Sequence, residues 1–455
     1  MNILNSISKL SFLLILTAVS ACQRPAPPEV EAPAMQEKWS ENSTIYEVNV
    51  RQMTTEGTFK AFQEQHLDRL ADLGVEILWF MPIHPIGKTN RKGTMGSYYS
   101  VQDYQAVNPQ LGSMEDFKTL VDSAHAKGMK VIIDWVANHT SWDNVWIAKH
   151  PDWYTKDSTG NFVPPVADWS DVMDLNYDNK EMREAMIQSL EFWLKEANID
   201  GFRCDVAEMV PLDFWLEARA RLDSIKPVFF LAEGENADLH NSFDMTYAWS
   251  FHHLMKEVAK GEKGANDLAK YWKWHDSVYP PTAIRMQFIS NHDENSWNGT
   301  MQEAFGENRR AFAVLSFTVP GMPLIYSGME SDLDKRLRFF DKDTIKWKDF
   351  PMQDFYKKLV KLKSTENNLR NDELAGGIEF FDAGNDRVLL FARTKEENRM
   401  LVALNFSADT VAVSLESALL KGTFKGCFNG QGLIADSVKT LQLPPHGYEV
   451  YLPEF

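Results

Sequence analysis

Four short segments hold the residue types that carry acid, base and nucleophilic chemistry: Asp134-Trp-Val-Ala-Asn138-His139, Gly201-Phe-Arg203-Cys-Asp205, Leu231-Ala-Glu233 and Ile289-Ser-Asn291-His292-Asp293. Each follows or ends an apolar run of strand length. Each therefore sets an acid, an arginine or a histidine where a buried strand opens to solvent, which is how a barrel enzyme builds its site. Arg203 stands two residues before Asp205, so on a strand both face the same way, and the permanent guanidinium charge favours an ionised, oriented carboxylate. Glu233 ends the apolar run Val228-Phe-Phe-Leu-Ala, where partial desolvation raises a carboxyl's pKa and lets it hold a proton. One acid is thus held charged and the other neutral. A strand-end carboxylate taken singly also suits the capping of the next helix.

The elements that must position these residues repeat one pattern: an amphipathic helix, a glycine stop, then an apolar strand. Ser113 with Asp116 forms a capping box, Phe117, Leu120, Val121 and Ala124 recur at helical spacing, Gly128 ends the helix, and a strand runs from Met129 to Val136. Met182, Ala185, Met186, Leu190, Trp193 and Leu194 form the face of a second helix before Gly201, and a third helix stops at Gly74 before Ile77-Leu-Trp-Phe-Met-Pro82. Strands buried on both faces and alternating with helices predict a parallel sheet. Candidate strands lie near Ile45, Ile77, Val131, Phe202, Phe229, Phe243, Met286 and Leu324. Eight of them predict a closed α/β barrel, (β/α)8, over residues 41–365. Residues 139–178, rich in Trp, Asp and Pro, form an inserted excursion after the third strand, of a length that is usually functional when ordered. From 366 to 455 the pattern changes to short alternating strands, an all-β C-terminal sandwich without a cluster of catalytic residue types.

The four segments, in this order, resemble those of the α-amylase family of glycoside hydrolases, and the resemblance covers roughly residues 41–455. Glycosidic hydrolysis needs two carboxyl groups, one at the anomeric carbon and one to protonate the departing oxygen. The resemblance implies Asp205 as nucleophile, Glu233 as general acid/base and Asp293 as the third acid, holding the sugar's 2- and 3-hydroxyls. Glu235, two residues further along the same face, is the competitor for the acid/base role. His139 and His292 resemble histidines that hydrogen-bond the donor sugar, and Asp134 an acid that braces Arg203. Tyr99, in Gly96-Ser-Tyr-Tyr-Ser-Val-Gln-Asp-Tyr104, resembles an aromatic platform for the apolar face of glucose. The family form is more often His-Gly-Tyr-Asp, which leaves Tyr98 as its rival. Met209 stands where many members carry a histidine. Asn138 and Asp174 resemble calcium ligands, whereas the loop Arg51 to Thr58 lacks the alternating Asp/Asn pattern of an oxygen-ligated site. Trp142, Trp146, Trp153, Trp169 and Trp297 fall in loops on the catalytic face. The resemblance implies a retaining hydrolase of α-1,4-linked maltooligosaccharides or starch fragments, with transglycosylation as a variant. A glucan-binding lipoprotein without turnover is the reading from another class. Asp171-Val-Met-Asp174-Leu-Asn176 fits neither the exo-glucosidase nor the debranching subfamily form.

With 455 residues the chain exceeds one ordinary core, and its 44% hydrophobic and 24% charged residues are those of a soluble globular protein. A formal charge of -17 with no run of Lys and Arg argues against a nucleic-acid partner. Residues 1–21 read as an export signal: Lys9, an apolar run from Leu10 to Val19, then small residues. That run is too short to span a bilayer. Val19-Ser20-Ala21-Cys22 resembles a bacterial lipobox, which implies lipidation of Cys22 and an exported lipoprotein held at a membrane, at the periplasmic face or the cell surface. Ordinary cleavage after Ala21 is the alternative. Residues 22–40, with Pro25, Pro27, Pro28 and Pro33, read as a tether. Cys204 and Cys427 are expected reduced, Cys204 as packing on the strand face opposite Arg203 and Asp205.

Overall fold

The computed structural model describes residues 39–371, 376–396, 398–415, 422–434 and 440–454. The export signal, Cys22 and most of the tether lie outside the described residues. Eight strands close into a parallel barrel: Ile45–Val48, Ile77–Phe80, Lys130–Trp135, Gly201–Cys204, Phe229–Ala232, Met245–Tyr247, Ile284–Gln287 and Met322–Tyr326. Each pairs with the next in sequence, and Ile45 against Leu324 joins the first strand to the last. The sixth strand starts two residues later than its apolar run indicates. Phe243 instead packs outside the sheet, its ring 5.2 Å from Trp215 and 5.5 Å from Phe230.

Local chemistry sets these elements. Ser113 Oγ accepts from Asp116 N while the Asp116 carboxylate accepts from Ser113 N, so the helix Met114–Ala126 starts on a reciprocal cap. It buries Phe117, Leu120, Val121 and Ala124 against the sheet. Gly201 opens the fourth strand because the neighbouring strand passes too close for a side chain; a Cβ there would lie 2.0 Å from Phe229 O. Phe202 and Cys204 point outward into the layer between sheet and helices, and Arg203 points inward. Both Cys204 and Cys427 are free thiols. The lower barrel interior is apolar, filled by Ile45, Ile77, Ile132, Leu231, Met245, Met286, Met322 and Leu324.

After the third strand, His139–Ser141 pairs antiparallel with Val172–Asp174, anchoring both ends of the excursion at the barrel's upper rim. The C-terminal region is a six-stranded antiparallel sheet, with Val388–Lys395, Asn398–Asn405 and Tyr448–Pro453 at its centre. A two-stranded ribbon, Val411–Ser414 with Thr440–Leu443, covers one face. Val413 and Leu441 of the ribbon share a core with Leu390, Leu401 and Ala403, which makes the sandwich. The other face packs on the barrel: Phe406 stacks on Phe312 at 4.5 Å, and the buried Arg393 donates to Thr318 O at 2.9 Å. Among the described residues no helix is long and apolar enough to cross a membrane.

Candidate active site

A cavity of about 610 Å³ opens at the C-terminal ends of the barrel strands. Asp205, Glu233, Asp293, Tyr99, His139 and His292 all line it. Three acids from the ends of the fourth, fifth and seventh strands thus face one sugar-sized space. Arg203 lies beneath them, fully buried. Its Nη1 donates to Asp134 Oδ1 at 2.8 Å and to Asp205 Oδ1 at 3.0 Å, and its Nε donates to Tyr247 OH at 3.1 Å. Nη2 stands 2.9 Å from Glu233 Oε2, an ion pair without the alignment of a hydrogen bond. The arginine therefore serves three carboxylates: Asp205 and Asp134, as the sequence leads one to expect, and Glu233 in addition.

Burial dominates the ionisation of this group. It pushes Asp205, Glu233 and Asp293 all above the ordinary carboxyl range, and at each the charge of Arg203 pulls the other way. Arg203 consequently does not separate a charged acid from a neutral one, as its spacing from Asp205 predicts. Hydrogen bonding distinguishes them instead. Asp205 accepts directly from the guanidinium, whereas Glu233 Oε2 accepts from the neutral backbone N–H of Val206 at 2.8 Å. Val206 has φ 38° and ψ 48°, left-handed values that a β-branched residue rarely adopts and that cost about 1–3 kcal/mol. The conformation turns its N–H towards Glu233, and nothing in the sequence marks the position.

His292 is the second hub. Its Nδ1 lies 2.5 Å from Glu47 Oε1, and its Nε2 lies 2.8 Å from Tyr99 OH and 3.3 Å from Asp293 Oδ2. Burial alone would depress this imidazole, but Asp293 and Glu47 overcome that and push it up to about 9. Glu47 is buried on the first strand, with no protein partner for its Oε2. Sequence reasoning missed it. The available signal was a lone acid inside the apolar strand Ile45-Tyr-Glu-Val48.

Tyr99 rather than Tyr98 reaches the cavity. Its OH donates to Asp134 Oδ2 at 3.0 Å, and its ring stacks 6.1 Å from Phe339, nearly parallel at 9°. Tyr98 turns away beneath the Arg51 guanidinium and donates to Asn49 Oδ1 at 2.9 Å. Glu235 also turns away, to Arg285 and to Ser250 N at 3.0 Å, which leaves Glu233 as the acid on the cavity wall. Of the five tryptophans, Trp169 and Trp297 line the cavity. Trp146 and Trp153 pack on each other at 5.3 Å, and Trp142 donates to Ser170 O at 3.0 Å. Met209 is exposed in a separate groove beside Pro211 and Asn236. The sequence also missed Lys92, Phe339 and Phe340, wall residues brought in by loops.

The two side chains that resemble calcium ligands have contacts within the protein. Asn138 Nδ2 lies 3.3 Å from His139 Nδ1, and the Asp174 carboxylate accepts from Thr155. Among the described residues no three Asp, Glu, His or Cys side chains gather to hold a metal. Asn138 and Asp174 would supply two of the six to eight oxygens that calcium takes, the others coming from backbone carbonyls and water.

Comparison with known proteins agrees with this geometry. The family model described as alpha amylase, catalytic domain, matches residues 51–165 and 150–373, and the maltogenic amylase C-terminal domain matches residues 378–450. The alpha-amylase MalA of Haloarcula japonica is 27% identical over 420 residues, 87% of this chain, which spans 60% of that relative's length. Among solved structures, an alpha-amylase from Lactobacillus plantarum superposes with a TM-score of 0.82 at 30% identity, over 90% of this chain and 98% of that one. A noncanonic maltogenic alpha-amylase from Thermotoga neapolitana superposes with a TM-score of 0.83 at 30% identity, over 91% and 99%. With the catalytic-domain model spanning the barrel and its acid-lined mouth, the chain belongs to the alpha-amylase family of glycoside hydrolases.

Proposed function

We propose that this protein is a retaining α-glucan hydrolase that cleaves α-1,4 bonds in maltooligosaccharides or starch fragments. The observation that carries the reading is the convergence of Asp205, Glu233 and Asp293 on one cavity with aromatic walls. Glu233, made a weaker acid by burial, gives its proton to the glycosidic oxygen as Asp205 attacks the anomeric carbon, forming a glycosyl ester and releasing the leaving sugar. Glu233, now a carboxylate, takes a proton from water, which attacks the same carbon and frees Asp205. Asp293 holds the 2- and 3-hydroxyls, His139 and His292 donate to the sugar, and Tyr99 offers its ring to the apolar face. A second sugar that reaches the ester before water would make the enzyme a transglycosylase, so the maltogenic relatives support the α-1,4-glucan class more firmly than the acceptor.

The test is a product profile on linear, branched and cyclic glucans, with the anomer first released read by NMR, run beside Asp205→Asn and Glu233→Gln. Near-normal rates in either variant would overturn the assignment. A binding protein without turnover would gain melting temperature with maltoheptaose and release no reducing ends. Export and a lipid anchor on Cys22 belong to the same proposal, supported by the Leu10 to Val19 run and the Val19-Ser20-Ala21-Cys22 site. Palmitate label should enter the wild type and not Cys22→Ala; an unlabelled, released wild type would instead indicate ordinary cleavage after Ala21.

A further inference from the structure

We propose that Lys92 closes the donor side of the cavity, so that the enzyme takes glucan chains by their non-reducing ends and releases short saccharides. The inference rests on the hydrolase reading above. Lys92 comes from the loop after the second barrel strand and reaches the excursion, where its Nζ lies 3.0 Å from Asp171 Oδ1 and donates to Asp168 O at 2.8 Å. The same Nζ lies 5.9 Å from the centre of the Phe340 ring, on the loop after the eighth strand.

The next residues fix that loop to the Phe340 segment. Met95 N donates to Phe340 O at 2.9 Å, and Thr94 donates through N and Oγ1 to Asp341 Oδ1 at 2.9 and 2.6 Å. At Gly93, φ is +61° and a Cβ would lie 2.5 Å from the Phe340 side chain, so the two segments touch with no space between them. Three loops are thereby tied into a continuous wall, with Lys92 as the joint at the excursion.

The position of this wall gives it meaning. In the closed ring the second and eighth strands flank the first, and the first stands across the barrel from the fifth, which carries Glu233. Glu233 protonates the departing oxygen, so the leaving part of the substrate lies on its side. The wall faces the part that becomes bonded to Asp205, and the sugars beyond that unit run towards the non-reducing end. A wall there limits their number, while a cleft open at both ends would accept the middle of a chain.

Two forms of p-nitrophenyl maltoheptaoside test this, one uncapped and one with its non-reducing end blocked by a 4,6-ethylidene group, with products separated by chromatography. The wild type should cleave the blocked substrate about tenfold or more slowly than the open one, and Lys92→Ala should narrow that ratio and release longer products. A wild type that cleaves both equally would overturn the inference, as would a ratio and product length unchanged in Lys92→Ala. A wild type that hydrolyses neither substrate would remove the hydrolase reading itself, an outcome distinct from both.

Discussion

The lower interior of the barrel and its upper end are built on the same strands, yet they hold opposite kinds of residue. Ile45, Ile132 and Leu231 fill the apolar layer, and two residues further along the same strands, on the same face, stand Glu47, Asp134 and Glu233. One step of the strand period separates core from chemistry. The lower layer takes apolar surface out of water, which stabilises the fold whatever the detailed shape of the side chains. The upper layer places Asp134, Arg203, Asp205 and Glu233 in contact with one another and largely out of water. Desolvation of such groups offsets much of their attraction, so their arrangement is understood from reactivity and not from stability. Trp79 and Tyr247 form the boundary: both pack with the apolar layer, and their polar ends meet Asp134 and Arg203.

If that division holds, substitutions above the boundary should act on rate and those below it on stability. The largest effect is expected from Asp205→Asn, since losing a covalent nucleophile costs on the order of 10⁶-fold in kcat. Its melting temperature should stay close to that of the wild type, because the amide oxygen can still accept from Arg203. Leu324→Ala, in the apolar layer, should lower unfolding free energy by about 2–5 kcal/mol and leave kcat and KM of the folded enzyme unchanged. A large rate loss there would mean that the two layers are mechanically coupled. Tyr247→Phe sits on the boundary and removes the acceptor for Arg203 Nε. Leaving that donor unpaired costs about 1–3 kcal/mol, and kcat should fall alongside stability, which denaturant melts and initial rates would show together.

The barrel was legible because its strands are apolar runs with helices and glycine stops between them, and Gly201 is needed where two strands nearly touch. Asp205 and Glu233 were legible because each follows directly on such a run, and Asp293, six residues past its strand, because its segment resembles the family's. Tyr99 could be preferred to Tyr98 but not separated from it, since adjacent residues point opposite ways and only packing decides which reaches the cavity. Likewise Trp297 and Trp153 both lie in aromatic loops, and one lines the site while the other is buried beside His150. Lys92 and Phe340 meet through loops whose course no local pattern fixes. Val206 is hidden for a different reason: its residue type argues against the backbone conformation it adopts. Arg203 was found with Asp205 from strand spacing and with Asp134 from the family resemblance, but its ion pair with Glu233 was not, because spacing along one strand shows nothing of the strand beside it.

The smallest expected effect is also the one that resolves the upper layer most finely. His292 ionises near 9, above its ordinary 6.5, with Asp293 and Glu47 overcoming the effect of burial. A histidine with a raised folded-state pKa contributes stability that is fully present below its unfolded pKa and is lost as pH rises through the folded one. The window for this pair therefore runs from about 6.5 to about 9. Glu47→Gln keeps the shape and an acceptor for Nδ1 but removes the charge, so His292 should lose its proton at a lower pH. Each pH unit by which that ionisation falls is worth about 1.4 kcal/mol. Across the window the wild type should lose stability relative to the glutamine variant, because deprotonated His292 leaves the buried Glu47 carboxylate without a counter-charge. Melting curves of both proteins from pH 6.5 to 9.5 measure this directly. Parallel curves would mean that Glu47 does not hold the charge of His292, and that the upper layer is a set of hydrogen bonds with no shared ionisation.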